Sequence, residues 1–130
     1  MSTRHALTIL AVNDLDAMRA FYQTVFAWPA TVDVPVYVEF TLPDSMRLGL
    51  YRREALARIT GRAATQVPAG ELSPTELYFY SDDLEALLDR AEVAGARPLS
   101  ALAARDWGDE VAYFADPEGN VLALARSHAV

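Results

Sequence analysis

No cysteine occurs in the 130 residues, which excludes disulfides, thiolate nucleophiles and cysteine metal sites. Lysine is missing too. All 11 basic residues are arginine, so the N-terminal amine is the only group open to Schiff-base chemistry. The formal net charge of −7 repels polyanions, and the arginines are scattered, with only Arg52 and Arg53 adjacent; no nucleic-acid partner is expected. Apolar runs are broken by charges well short of membrane-spanning length, so no membrane partner is expected either. Residues 1–4 carry a single charge and pass straight into a strand-like run, unlike a secretory leader. The expected location is the cytoplasm.

What remains is an ordinary globular composition, 52% apolar and 22% charged, in a length that suits one domain with a sizeable core. Residues 6–12 read as a short apolar strand ending at Asn13-Asp14. Asp14 is a helix cap, followed by Leu15, Met18, Tyr22 and Val25 at helical spacing until Pro29. Residues 34–42 alternate, with Val34, Val36, Val38, Phe40 and Leu42 on one face and Tyr37 and Glu39 on the other. A turn at Pro43-Asp44-Ser45 leads to a strand over residues 46–51.

Residues 60–74 have linker character, with Gly61, Pro68, Gly70 and Pro74 among small or polar neighbours. Then the pattern restarts. Residues 76–80 form a strand, Ser81-Asp82-Asp83 a cap, and Leu84, Leu87, Leu88 and Ala91 a helical stripe that stops at Gly95. Strand-like pieces follow at residues 97–99, 110–115 and 121–126, the last two joined by a type I turn at Asp116-Pro117-Glu118-Gly119. Val12-Asn13-Asp14-Leu15-Asp16-Ala17 aligns with Ser81-Asp82-Asp83-Leu84-Glu85-Ala86, and Leu48-Gly49-Leu50-Tyr51 with Leu122-Ala123-Leu124-Ala125. Beginnings and ends match in order, which indicates a duplication whose halves pair to bury a core. The predicted fold is α+β: a single domain of residues 1–130 with two βαβββ repeats, residues 4–59 and 75–127, pairing within one chain or between two into a curved mixed sheet around a cleft, helices outside.

The string Val12-Asn13-Asp14-Leu15 with Phe21-Tyr22 resembles the opening of the vicinal oxygen chelate superfamily, which includes glyoxalase I, bleomycin-resistance proteins and extradiol dioxygenases. The later string is more specific: Asp83-Leu84, Ala94-Gly95-Ala96, Trp107-Gly108 and Phe114-Ala115-Asp116-Pro117-Glu118-Gly119-Asn120. In metal-using members of that family each repeat supplies one ligand from its first strand and one from its last. The resemblance places those positions at Leu7, Gly49, Glu76 and Ala123. Three of the four have no donor atom, so no cofactor is expected and a divalent metal is disfavoured. A displaced metal site would have to use His5, which shares a strand face with Leu7, together with Glu76. His128 lies near the chain end and is a weaker ligand candidate.

If those positions face the cleft, alternation brings His5, Ile9, Tyr37, Glu39, Arg47, Tyr51, Tyr78 and Tyr80 beside them, with Trp107 closing one end. Tyr37 and Glu39 are expected to share one cavity with Glu76, Tyr78, Tyr80 and Trp107, while Leu77 and Phe79 pack beneath the second helix. Such a surface suits an aromatic or amphipathic organic molecule, cationic ones included. Glu39 is read as the ion-pair partner of Arg47, and Glu76 as the weak candidate for a general base. No Ser-His-Asp order, phosphate-binding glycine loop or His-Glu metal spacing appears. The leading expectation is a metal-independent protein, homodimeric as relatives often are, that sequesters or carries a small organic molecule. The alternative is a lyase, isomerase or dioxygenase using a non-standard metal site or Glu76 as base.

Overall fold

A computed structural model describes residues 2–127; His128 falls outside the described residues. The chain divides into two compact units. The first comprises the residues up to Gln23 together with Ala27–Gln66, and the second comprises Thr24–Phe26 and the residues from Val67 onward. None of the described helices is long and apolar enough to cross a membrane.

The first unit runs β1 (Thr8–Val12), α1 (Leu15–Phe26, its last turn counted with the second unit), β2 (Ala30–Val34), β3 (Tyr37–Thr41), β4 (Arg47–Arg52) and α2 (Arg53–Thr60). Its sheet has the order β1-β4-β3-β2, with β1 parallel to β4 and the other pairs antiparallel. The Asp14 carboxylate accepts from the Ala17 amide at 3.0 Å and so caps α1. Leu15, Met18, Tyr22 and Val25 are all buried, as their spacing predicts. Arg19 on α1 reaches Asp33 on β2 at 2.7 Å, and Asp33 is opposite Val38 in the register. Val38, Phe40 and Leu48 therefore lie on the α1 side of the sheet and are buried. Tyr37, Glu39, Arg47, Gly49 and Tyr51 fall on the other face.

Two elements here differ from the sequence reading. The alternating run at 34–42 is not one strand: the chain reverses at Pro35-Val36, so Val34 is opposite Tyr37 on a separate strand, β2. Pro35 breaks the ladder because it has no amide hydrogen, and two residues suffice for a tight hairpin. Helix α2 was also unforeseen. It has no side-chain cap at Arg52 and buries only Ala55; its signal lies at the other end, where Gly61 takes the left-handed conformation and its amide donates to the Ala57 carbonyl at 2.8 Å. Arg53 ties its start to Asn13 at 2.8 Å and to the Ala64 carbonyl at 3.2 Å.

The second unit repeats the scheme with β5 (Glu76–Tyr80), α3 (Leu84–Val93), β6 (Arg97–Ala104), β7 (Asp109–Ala115) and β8 (Val121–Ser127). Its order, β5-β8-β7-β6 with β5 parallel to β8, is that of the first sheet. The chain is thus α+β, built from two βαβββ-like halves. Asp83 caps α3 through the Ala86 amide at 3.2 Å. Arg126 bridges Glu110 on the neighbouring strand, at 2.7 Å, and Glu85 on α3, at 2.6 Å, which marks the α3 side of this sheet. The opposite face carries Glu76, Tyr78 and Tyr80 from β5, Ala123 and Ala125 from β8, and Asp109, Val111 and Tyr113 from β7. Phe79 points the other way, its ring centroid 4.6 Å from that of Phe26. The face is the one alternation predicts, although the ring that Phe79 meets belongs to α1 rather than to the helix of its own repeat.

The β7–β8 turn closes through the Gly119 amide on the Asp116 carbonyl at 3.0 Å. The buried Asp116 carboxylate accepts from the amides of Glu118 and Asn120 and from Asn120 Nδ2 at 2.9–3.0 Å. Gly119 holds φ +90, and a Cβ there would stand 2.6 Å from the Glu71 carbonyl oxygen. Only glycine fits both demands.

Candidate functional site

Each unit gathers tyrosines around a buried carboxylate on the face away from its long helix. In the first, the Tyr37 hydroxyl donates to Glu39 at 2.6 Å and Arg47 donates to the other carboxylate oxygen at 3.2 Å. Glu39 is buried, and Arg47 neutralises it as the sequence reading proposed. Tyr51 stands edge-on to Tyr37 with ring centroids 5.5 Å apart. Burial raises the Tyr37 pKa, and the hydrogen bond to Glu39 raises it further. This hydroxyl stays protonated and is no base. Ile9, opposite Gly49 in the ladder, is exposed. His5 stands apart from the cluster: it lies in the exposed segment before β1, its Nε2 hydrogen-bonded with the Thr8 hydroxyl at 3.1 Å.

In the second unit the organising group is Asp109, which the sequence reading missed. Its Oδ2 accepts from the Tyr78 hydroxyl at 2.5 Å and from the Tyr80 hydroxyl at 2.8 Å. The Trp107 indole N–H donates to the Tyr78 oxygen at 2.9 Å. The two tyrosine rings are 5.6 Å apart and nearly perpendicular, at 73°. Burial pushes the Tyr78 pKa up to about 12, with the Asp109 bond adding to it; for Tyr80 the Asp109 bond is the leading cause of a rise. Below this cluster Val111, Ala123 and Ala125 are fully buried, with Tyr113 packed against them. Glu76 starts β5 and is exposed, so its own unit gives this general-base candidate no apolar enclosure. Asp109 had a signal. Stepping back by twos from Tyr113 and Val111 reaches it, but the strand was begun one residue late, at Glu110.

The positions that the resemblance assigns to metal ligands do not fit a metal ion. At Gly49 the Tyr37 ring fills the space a side chain would take, its Cε1 2.7 Å from an added Cβ. Ala123 is buried in the apolar cluster, and Leu7 offers no donor. Among the described residues no three His, Asp or Glu side chains are grouped so as to hold a metal. The second unit also has a cavity of about 230 Å³ lined by Pro68, Gly70, Glu71, Arg97, Asp116 and Glu118. It contains none of the predicted residues, and Arg97 there donates to the Gly70 carbonyl at 2.6 Å.

A family model described as a glyoxalase-like domain matches residues 5–129. No curated protein matches the chain. Among solved structures, a glyoxalase-related enzyme from Fulvimarina pelagi has a TM-score of 0.84 at 22% identity, over 97% of this chain and 89% of its own. A glyoxalase/bleomycin resistance protein/dioxygenase family enzyme from Burkholderia phytofirmans PsJN has a TM-score of 0.76 at 26% identity, over 94% and 97%. A glyoxalase/bleomycin resistance protein/dioxygenase from Nocardioides gives 0.75 at 22%, over 98% and 85%.

Proposed function

This chain belongs to the glyoxalase-like domain family, and within it we propose a metal-independent binding protein that sequesters or carries a small aromatic or amphipathic organic molecule. The observation that carries the reading is Tyr37 standing where a ligand-bearing side chain at Gly49 would be, locked there by Glu39 and Arg47. A position that supplies a metal ligand in other members is here part of an aromatic surface. Tyr80 and Trp107 add further exposed aromatic area in the second unit, suited to stacking. The hydroxyls of Tyr37, Tyr78 and Tyr80 are held neutral, which suits recognition better than proton abstraction.

Native mass spectrometry of untreated protein, combined with elemental analysis, tests this directly. The expected result is a homodimer without stoichiometric transition metal, retaining an organic adduct or accepting one from a small aromatic library. A stoichiometric metal that is lost in Glu76→Ala would reject the proposal and favour the enzymatic alternative.

A further inference from the structure

We infer that Tyr78, Tyr80, Trp107 and Asp109 form a seat for an organic ammonium cation, such as a quaternary or alkylated amine. The inference rests on the binding reading above and specifies the chemistry of its ligand. Asp109 is 5% exposed, yet among the described residues it forms no ion pair. Among the described residues its Oδ2 accepts from two neutral phenols and no cationic donor. A carboxylate taken out of water costs free energy unless a counter-charge compensates it. The first unit solves the same problem internally, with Arg47 on Glu39. The second does not, although an arginine is close in sequence. Arg105 directs its Nη2 to the Ser100 hydroxyl and to the carbonyls of Ala101 and Val111, and lies over the Tyr113 ring at 5.1 Å.

The surroundings select the kind of cation. The Tyr78 and Tyr80 rings meet edge to face at 73°, and Trp107, hydrogen-bonded to Tyr78, adds a third aromatic side chain. Tyr80 is 65% exposed and Trp107 57%, so these groups remain open to a ligand. Aromatic faces with a carboxylate at the seam attract a large, weakly hydrated cation through cation–π and charge contact. A hard metal ion needs several oxygen ligands, and among the described residues these aromatic side chains hydrogen-bond to no carboxylate besides Asp109. The −7 charge of the whole chain favours approach of a cation.

Isothermal titration calorimetry on the full chain, with choline and with its neutral carbon isostere dimethylbutanol, provides the test. Choline is expected to bind roughly tenfold or more tightly than the isostere. Asp109→Asn should weaken choline about tenfold and leave the isostere unchanged. Tyr80 is exposed enough for its variants to fold; Tyr80→Leu should weaken choline several-fold while Tyr80→Phe retains it. Equal affinity for choline and the isostere, or unaltered choline binding in both Asp109→Asn and Tyr80→Leu, overturns the cation seat but leaves the binding function standing. If neither probe binds and no organic adduct or library ligand is found by mass spectrometry, both fall.

Discussion

The Tyr37 hydroxyl lies 2.6 Å from Glu39, two residues along the same strand, and the Tyr37 ring covers Gly49 on the strand beside it. One side chain thus satisfies a buried carboxylate and fills a gap in the sheet. Arg47 completes the arrangement from the next strand.

Gly49→Ala should force Tyr37 to swing away and break its bond to Glu39. The expected cost is about 1–3 kcal/mol, from crowding and a weakened buried carboxylate. In a Tyr37→Ala background the clash is gone, and the same substitution should be neutral or slightly stabilising because alanine suits a strand better than glycine. A double-mutant cycle by urea unfolding reads the difference. Additive effects would place Tyr37 elsewhere.

The raised tyrosine pKa values predict a specific alkaline behaviour. The Tyr78 pKa rises from an ordinary value of 10 to about 12, so the folded state holds a proton that the unfolded state releases. The stabilisation is complete below pH 10 and is lost as pH rises from 10 through 12. Phenolate absorbance should therefore appear later in native protein than in urea. In Asp109→Asn the Tyr80 part of that delay should shrink most, since its leading cause is the bond to Asp109. Coincident native and unfolded titration curves would contradict the hydrogen bonding described.

Gly119→Ala should destabilise the protein by about 2 kcal/mol or more, because a positive φ and contact with the Glu71 carbonyl oxygen act together. The Glu71 contact is to backbone and cannot rotate aside. Thermal melting checks it; an unchanged midpoint would mean that residues 71–73 do not lie against the turn.

Much of the fold was legible because its signals are local. Asp14 and Asp83 cap their helices, the Leu15–Val25 stripe is buried, and the turn at Pro117 forms where its residues indicate. Strand β2 and helix α2 were not legible. Val32 and Val34 are exposed rather than alternately buried, and α2 has no side-chain cap at its start and buries only Ala55, so the one plain signal for it is Gly61 at its end. The candidate site divides along the same line. Tyr37, Glu39, Tyr78 and Tyr80 were found by counting in twos along strands. Asp109 lies on the same alternation, one residue before the strand that the sequence marks, while its two phenol partners, 29 and 31 residues away, are visible only in the fold.

By itself the sequence determined the chemistry on offer: no thiol, no lysine, three of four expected ligand positions without a donor, and two repeats with tyrosine-bearing strands. Those properties belong to residue identity and to period, and folding cannot change them. Only the tertiary structure decided that, among the described residues, Glu39 receives an arginine while Asp109 receives two phenols and no ion-pair partner. The reason is that pairing depends on which side chains strand register brings within about 3 Å, and register is fixed by packing across the whole sheet rather than by any one segment.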